Sequence, residues 1–572
     1  MTEQNDTQAP GVRMLKGAEI IVECLLEQNV DTIFGYPGGQ IIDTFDALYT
    51  YRDRLRHVLT AHEQGAAHAA DGYARVSGKA GVVIATSGPG ATNLVTGLAT
   101  AFMDSVPVVA ITGNVSSPLL GKDSFQEVDI FGVTMPITKH NFIVRNVEDL
   151  AETMRRAFFI AQSGRPGPVL VDVLKDVQQA VCAFENQKPA PIQPVVDRIT
   201  DADIKNAVQM IDEAQKPVIF AGGGVIRANA SAELYRFAAR TGAPVSLSLM
   251  GLGAYPASKP QYMGMLGMHG TRTSARAVSE ADLLIVCGAR FSDRVIMNAS
   301  TFARQLKVLH LDIDDAEINK NIISHASVRG DVKASLLALC ERVAVKDRDE
   351  WIREIVEWKA QEPKDAHGNL TPQALIEAVQ SALPEDALIA TDVGQHQMWV
   401  AQHFHFSRPR TLLTSGGLGT MGYGLGAAVG AQFAMPDRRV VLFTGDGSFH
   451  MNFNELVTVA TNNLPIVIFI MNNGVLGMVR QWQKVLYHQR YSQTTTHRKT
   501  DYVKLAGAFD IEGAVITERE QLSEVVPWAV SLGKPVVVDV RINKDENVLP
   551  MVAPGKSYTD QITWINKQGR LK

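Results

Sequence analysis

Cysteine is scarce in this chain. Only Cys24, Cys182, Cys287 and Cys340 occur among 572 residues, far apart and with no CxxC pair. This excludes a disulfide framework and a cysteine-based zinc site, and suggests small buried apolar side chains in a reducing compartment. No apolar run is long enough to cross a bilayer. The start, Met1 to Pro10, is polar and acidic and lacks the basic and apolar regions of a secretory signal, so a cytoplasmic protein is expected. Charge of one sign is lacking too. The net charge of −5 gives no electrostatic reason to expect nucleic acid as a partner. What is present, 46% hydrophobic and 20% charged residues, describes an ordinary globular chain with room for about three or four domains.

Two segments read as linkers. Asn186-Gln187-Lys188-Pro189-Ala190-Pro191-Ile192-Gln193-Pro194 is punctuated by proline, which suits neither a helix interior nor a central strand. Lys359 to Thr371 is polar and contains Pro363 and Gly368. Between them lie about three α/β units. The first has strands at Thr32–Phe34, His57–Thr60, Gly81–Ala85, Val106–Thr112 and Val169–Val173. The second has Pro217–Ala221, Leu283–Cys287 and Lys307–Ile313; the third has Leu388–Thr391, Val440–Thr444, Ile466–Met471 and Pro535–Val540. Continuous apolar runs of this kind predict parallel sheets covered by helices on both faces. No short-period repeat occurs, although the first and third units share an α/β grammar.

Two strands of the third unit end in metal-ligand chemistry. Val440–Thr444 runs into Gly445-Asp446-Gly447, and Ile466–Met471 runs into Asn472-Asn473. Asp446 and Asn473 are 27 residues apart, joined by a helix-like stretch from Phe453 to Asn462. That is a βαβ unit, which places both oxygen ligands at the carboxyl ends of parallel strands. A carboxylate, a carboxamide and a nearby carbonyl suit Mg²⁺, which takes its remaining oxygens from phosphate and water. Gly445 and Gly447 let the backbone approach that phosphate.

In the first unit, His57 to His68 reads as a strand turning into an alanine-rich helix, with Glu63 at the junction. Position alone makes Glu63 a first-turn acid favoured by the helix dipole. Gly35-Tyr36-Pro37-Gly38-Gly39 and Thr86-Ser87-Gly88-Pro89-Gly90-Ala91-Thr92-Asn93 each follow a strand and precede a helix. Gly417-Leu418-Gly419-Thr420-Met421-Gly422 matches GxGxxG after Thr411–Thr414, a weak dinucleotide signal when alone. In the second unit, Gly222-Gly223-Gly224 leaves room for a ribose or phosphate after its strand.

The Gly-Asp-Gly…Asn-Asn pattern, the His-Glu-x-x-Ala setting of Glu63 and the Gly-Leu-Gly-x-Met-Gly stretch resemble thiamine-diphosphate enzymes. From Lys16 to Gly555 the chain resembles the large catalytic subunits of acetohydroxyacid (acetolactate) synthases. Asp123-Ser124-Phe125-Gln126-Glu127, Thr138-Lys139-His140-Asn141, Gly474 to Gln483 and Pro550 to Gly555 are the most selective segments. The resemblance implies an α/β fold of three domains with parallel sheets flanked by helices. These are a pyrimidine-binding domain at 13–185, a central FAD-type domain at 195–345 and a diphosphate-binding domain at 370–545, followed by a tail at 546–572.

The resemblance also implies roles. Asp446, Asn473 and the Val475 carbonyl hold Mg²⁺ against the diphosphate, while Glu63 faces N1′ of the aminopyrimidine in a desolvated pocket that raises its proton affinity. Met421 wedges between the cofactor's rings; Val393, Gly394, Gly419, Gly445, Gly447 and Met478 line the same site, with Val479. Gln126 sits beside the reacting intermediate, and Trp482 and Arg294 bias the site toward a 2-ketoacid acceptor by indole shape and guanidinium–carboxylate pairing. Gly222, Gly223, His269, Gly288, Arg290, Asp312 and Asp331 face FAD. Ser292 stands where an aspartate is common, Leu174 and Leu425 where proline is frequent, and His450 where glutamine is.

The implied reaction decarboxylates pyruvate on thiamine diphosphate and condenses the hydroxyethyl carbanion with a second ketoacid. Pyruvate gives 2-acetolactate and 2-ketobutyrate gives 2-aceto-2-hydroxybutyrate, in branched-chain amino acid biosynthesis. FAD is then structural, since no net electron transfer occurs. A homodimer or homotetramer with sites at the dimer interface, and a small regulatory subunit, are the implied partners. A pyruvate oxidase that passes electrons to flavin, a flavin-free catabolic acetolactate synthase, and a non-catalytic scaffold keeping the cofactor fold remain alternatives. A nicotinamide dehydrogenase rests only on the stray GxGxxG.

Overall fold

The computed structural model describes residues 11–302, 306–362, 368–566, 569 and 571. The polar start Met1–Pro10 and residues 363–367 of the second linker lie outside the described residues. Asn186 to Pro194 is exposed and carries no regular structure, as its prolines predict.

Three six-stranded sheets dominate, and every pairing within them is parallel. The first runs Arg56–Leu59, Thr32–Gly35, Gly81–Ala85, Val108–Asn114, Val169–Leu174, His140–Val144 across the sheet. The third runs Leu412–Leu413, Leu388–Thr391, Val440–Gly445, Ile466–Asn472, Val536–Arg541, Glu512–Ile516. Counted in chain order within each sheet, both read 2-1-3-4-6-5, so the shared grammar of the first and third units is a shared topology. The central sheet runs Tyr262–Met265, Val245–Leu247, Pro217–Ala221, Leu283–Cys287, Lys307–Asp312, Ala326–Arg329, which reads 3-2-1-4-5-6, the order of dinucleotide-binding folds. A small antiparallel pair joins Val12–Lys16 to Val181–Glu185.

The central strands are continuous apolar runs because both faces are covered; every residue of Val440–Gly445 and of Leu283–Cys287 is buried. Strands that the apolar pattern did not reveal are short or lie at edges, such as His140–Val144, Ala326–Arg329 and Glu512–Ile516. There one side meets solvent, so polar residues interrupt the run. Cys24 and Cys287 are buried, and burial pushes the Cys287 thiol up to about 12, but Cys182 and Cys340 are only half-buried. All four are free.

The chain divides into two compact units. The first comprises Met1–Gln193, Gly417–Pro436 and Asn452–Asn462. The second comprises Pro194–Gly416, Asp437–Met451 and Asn463–Lys572, and holds the second and third sheets. Inside the first unit, the helix Glu63–Ser77 packs closely on the helix Tyr423–Ala434. A Cβ at Gly72 would lie 2.2 Å from the Ala427 carbonyl oxygen, and one at Gly430 would lie 1.8 Å from that of Ala69. The backbones touch where these glycines stand. A buried ion network spans the same contact. Arg75 Nε donates to Asp71 Oδ1 at 2.5 Å, and its Nη2 donates to Asp104 Oδ2 at 2.9 Å. Tyr423 donates to Asp71 Oδ1 at 2.7 Å, and the Gly417 amide donates to Asp104 Oδ1 at 2.7 Å.

Asp172 on the strand Val169–Leu174 is a buried acid with hydroxyl and amide partners: Thr112 Oγ1 donates at 2.7 Å and Asn114 Nδ2 at 2.5 Å. Burial pushes its carboxyl up to about 7, against those two hydrogen bonds, with Asp129 adding to the rise. A folded-state value above the unfolded one makes the group stabilising at low pH, and that contribution is lost as pH rises through about 7. The fall in thermal midpoint between pH 5 and pH 8 is therefore expected to be smaller in Asp172→Asn than in the parent, as scanning calorimetry would measure.

Candidate functional site: three strand-end sites

At the third sheet, Asp446 and Asn473 leave the carboxyl ends of adjacent strands, Val440–Gly445 and Ile466–Asn472, whose register pairs Gly445 with Met471. The two residues singled out by spacing thus stand at one end of one strand pair. Asp446 opens the short helix Asp446–Phe449 and is 3% exposed. Burial pushes its carboxyl up to about 6, against the backbone amides of Asn473 and Gly447 and the charge of Arg498. A divalent cation would hold such an acid ionised. Asn473 Oδ1 accepts from the Val475 amide at 3.1 Å, and its Nδ2 donates to Gln395 Oε1 at 3.3 Å. Val475 is buried and bridges to Thr495. Among the described residues no group of three or more His, Cys, Asp or Glu side chains is gathered for a metal. One carboxylate among amide and carbonyl oxygens is instead a donor set for magnesium that shares its shell with phosphate.

The strand order places Leu388–Thr391 beside Val440–Gly445, at the switch point where open α/β sheets bind ligands. Val393 and Gly394 follow the first of these strands, and the Val393 carbonyl accepts from Ser448 Oγ at 2.9 Å. His396 is one of the residues that sequence reasoning missed. It is 5% exposed, its ring bonds to the Asp392 backbone, and its Nε2 has no partner among the described residues. A Cβ on Gly394 would lie 2.7 Å from this ring, and one on Gly445 2.9 Å. Both glycines make room for the imidazole. An orphaned buried nitrogen beside Gly445 and Asp446 is what an anion oxygen would satisfy, so these residues fit a diphosphate. The signal available in the sequence was a histidine two residues beyond Gly394 at a strand end.

Gln395 was also missed. Its Nε2 donates to Gln481 Oε1 at 3.2 Å and to the Glu546 carbonyl at 3.0 Å, so it ties Asn473 to the helix Gly477–Leu486 and to the chain beyond residue 545. His450 braces the turn at Asp446: Nδ1 donates to the Asp446 carbonyl at 2.7 Å, and Nε2 meets the Thr500 hydroxyl at 2.8 Å. On the helix Gly477–Leu486, Met478 is half-buried against the core and Val479 is exposed. Trp482 is half-buried against Met551, Ile562 and Ile565, which is also how a packing anchor would look.

At the first sheet, the paired strands Thr32–Gly35 and Gly81–Ala85 and the glycine loops that follow them pack on one another. A Cβ on Gly35 would lie 2.2 Å from the Ile84 carbonyl oxygen, and one on Gly38 2.5 Å from the Thr86 side chain. Glu63 is the first residue of its helix and is buried. Asn93 Nδ2 donates to Glu63 Oε2 at 2.9 Å, and a Cβ on Gly90 would lie 3.2 Å from Oε1. Asn93 ends one of the glycine motifs, where the sequence assigns it no role; the structure makes it the carboxylate's orienter. His62 caps the helix, its Nδ1 accepting from the Gln64 amide at 3.1 Å. Gln126 has φ +60°, in a loop whose Gly121 and Ser124 amides both donate to Glu127.

Met421 belongs to the first unit and is half-buried. Its neighbours are braced: Thr420 Oγ1 meets Thr100 Oγ1 at 2.7 Å, and Asn452 Nδ2 donates to the Gly422 carbonyl at 3.0 Å. Gly419 and Gly422 have φ of +73° and +87°, which only glycine adopts without strain. The strand before this GxGxxG is the two-residue Leu412–Leu413 at a sheet edge, away from the switch point, so the dinucleotide reading of that motif has no structural support.

At the central sheet, Gly222 and Gly288 follow the two strands of its switch point. A Cβ on Gly222 would lie 2.4 Å from the Gly288 carbonyl oxygen, so loop-on-loop packing accounts for both. At Gly223 the nearest atoms belong to Met250, at 3.3 Å. His269 is 7% exposed with Nδ1 unpartnered among the described residues, again a buried nitrogen suited to a ligand. Asp331 caps the helix Val332–Arg342 through the Ala334 amide, at 2.9 Å. Asp312 Oδ1 accepts from the Asp314 amide at 2.9 Å, and Arg290 is half-buried. Arg294 pairs with Asp293 at 2.9 Å, with both side chains largely exposed.

Family models match all three regions. Residues 15–133 match the N-terminal TPP binding domain of thiamine pyrophosphate enzymes, residues 204–339 their central domain, and residues 392–540 their C-terminal TPP binding domain. The acetolactate synthase isozyme 2 large subunit of Escherichia coli (strain K12) is 47% identical over 553 residues, 96% of this chain and 99% of that protein. The acetolactate synthase large subunit of Parasynechococcus marenigrum (strain WH8102) is 46% identical over 97% of this chain and 92% of its own. A probable acetolactate synthase large subunit of Methanocaldococcus jannaschii is 44% identical, with 98% and 97% covered. This chain belongs to the thiamine pyrophosphate enzymes and, within them, to the family of acetolactate synthase large subunits.

Proposed function

We propose that this chain joins two 2-ketoacids with loss of CO₂: two pyruvates to 2-acetolactate, or pyruvate and 2-ketobutyrate to 2-aceto-2-hydroxybutyrate. The observation that carries the reading is the placement of Asp446 and Asn473 at the ends of paired strands, beside the orphaned His396 Nε2. Thiamine diphosphate, when bound, supplies the electron sink that makes the carboxylate of a 2-ketoacid a leaving group.

The chain's own residues do the rest. Asp446, Asn473 and the Val475 carbonyl would hold Mg²⁺, and His396 Nε2 would donate to a diphosphate oxygen. Val393, Gly394, Gly445 and Gly447 allow close approach of the backbone. Met421 would pack against the rings of the cofactor. Glu63, oriented by Asn93, would share a proton with N1′ of the aminopyrimidine. Gln126 lies by the reacting carbons, Arg294 pairs the acceptor's carboxylate, and Trp482 selects its shape, with Met478 and Val479 lining the pocket. FAD would be held at the central sheet by Gly223, His269 and Arg290, with Gly222, Gly288, Asp312 and Asp331 shaping its surroundings. On this reading residues 13–185 bind the pyrimidine, 195–345 the flavin and 370–545 the diphosphate. The enzyme works in the cytoplasm as a homodimer or homotetramer, Glu63 serving cofactor held by a second copy, with a small regulatory subunit as further partner. Among the described residues no helix is long and apolar enough to cross a membrane.

The test is product analysis with pyruvate and 2-ketobutyrate supplied together, withholding thiamine diphosphate, Mg²⁺ and FAD in turn. Both acetohydroxyacids should form only with the first two present. Acetate production with flavin bleaching at the turnover rate would instead mark a pyruvate oxidase. In Trp482→Leu the preference for 2-ketobutyrate over pyruvate as acceptor should weaken by about tenfold, the scale on which shape selection discriminates one methylene. A fixed product ratio under competition would remove the indole from that role.

A further inference from the structure

The crossover between the two metal-bearing strands contains a buried acid that has no part in the proposed reaction so far. Glu455 ends the short turn Phe453–Glu455 ahead of the helix Leu456–Thr461, within the first unit, and is 1% exposed. Its Oε1 accepts from the His62 amide at 3.1 Å, and its Oε2 accepts from the Ala61 amide at 3.2 Å and from Thr458 Oγ1 at 2.6 Å. Burial pushes its carboxyl up, against those three hydrogen bonds. Ala61 and His62 immediately precede Glu63, the first residue of its helix.

The surrounding chain is shaped to this carboxylate. A Cβ at Gly65 would lie 2.0 Å from Glu455 Oε1, so the first turn of the helix leaves space that the acid fills. The acid also stands at the positive end of a 15-residue helix, where negative charge is favoured. Glu63 is then held from two sides. Asn93 holds its carboxylate, and Glu455 holds the backbone from which it projects. Glutamate suits this task and glutamine does not. A carboxylate offers acceptors to both amides, whereas a carboxamide must turn an NH₂ toward one of them.

Resting on the proposed function, we propose that Glu455 is a positioning residue for the reaction, gripping the Ala61 and His62 amides so that Glu63 meets the aminopyrimidine in register. Proton transfer depends steeply on such placement, and binding of the diphosphate end does not.

The experiment uses full-length Glu455→Gln and, as a milder variant that removes one hydrogen bond, Thr458→Val, with Glu63→Gln as control. In the protein without cofactor, hydrogen–deuterium exchange of the peptide covering residues 60–66 should quicken in Glu455→Gln. In the enzyme saturated with thiamine diphosphate and Mg²⁺, exchange of the cofactor's C2 proton, followed by quenched-flow NMR, should slow about 10- to 100-fold. The dissociation constant for thiamine diphosphate and KM for pyruvate should change by less than about threefold, so that the loss falls on kcat. Thr458→Val should shift C2 exchange in the same direction by less. A purely structural role would lower the thermal midpoint or weaken binding and leave C2 exchange in the saturated enzyme alone. C2 exchange within about twofold of the parent in every folded variant, with Glu63→Gln suppressed, overturns the role of Glu455 and spares that of Glu63. Undiminished exchange in Glu63→Gln overturns both.

Discussion

Glu63→Gln should lower acetohydroxyacid formation by about 10²- to 10⁴-fold, the contribution of a positioned acid–base group. The substitution keeps side-chain length, and the amide oxygen of glutamine can still accept from Asn93 Nδ2, as Glu63 Oε2 does at 2.9 Å. It removes the shareable proton and nothing else of comparable weight. Circular dichroism and the thermal midpoint should therefore stay near those of the parent, and thiamine diphosphate should still bind through the residues at the third sheet. Turnover and C2-proton exchange, measured on the same saturated preparation, should fall together. If turnover persists while the protein is folded and loaded, Glu63 loses its assigned role.

The second large effect is on stability. Arg75 lies between Asp71 and Asp104, with side-chain exposures of 6%, 0% and 0%. Burial works against the guanidinium charge, but Asp71, Tyr423 and Asp104 more than offset it and hold the Arg75 pKa well above its ordinary value. Arg75→Met keeps much of the volume and leaves two carboxylates buried without their shared cation. Breaking a buried network from one side costs about 3–5 kcal/mol. The denaturation midpoint of the first unit should drop accordingly. The triple variant Asp71→Asn/Arg75→Met/Asp104→Asn should recover most of that loss, because no charge is then stranded. A single variant as stable as the parent would mean that the network contributes no net stabilisation. Gly417 donates to Asp104 and Thr420 meets Thr100, so the loop carrying Met421 should loosen along with it, which hydrogen exchange of residues 417–422 would measure.

Much of the candidate site is legible in residue order alone. Asp446 and Asn473 stand out because each ends an apolar run, and a helical stretch between two such runs forces parallel strands. The three α/β units are legible because central strands buried on both faces are continuous in Val, Ile and Leu. Glu63 is a weaker case. Position makes it an ordinary first-turn acid, and the resemblance to thiamine enzymes singles it out. Asn93 stands in a glycine loop, but a motif does not say which member turns toward an acid. His396 escapes notice because a lone histidine has no periodic signature; only its burial and orphaned Nε2 mark it.

Local residue order determined the central strands and the glycine turns that follow them, since these depend on neighbours a few positions away, but not edge strands such as His140–Val144 and Glu512–Ile516. Tertiary structure alone decided that the first and third sheets share one strand order while the middle one follows another, because crossover direction is set by packing. It also decided that Glu455 grips an amide 394 residues away and that Arg75, paired with Asp71 one turn back on its own helix, also reaches Asp104. Hydrogen bonds of that span form only where segments remote in sequence are packed together, and glycine backbones in contact, as at Gly72 and Gly430, let the two helices of the first unit approach that closely.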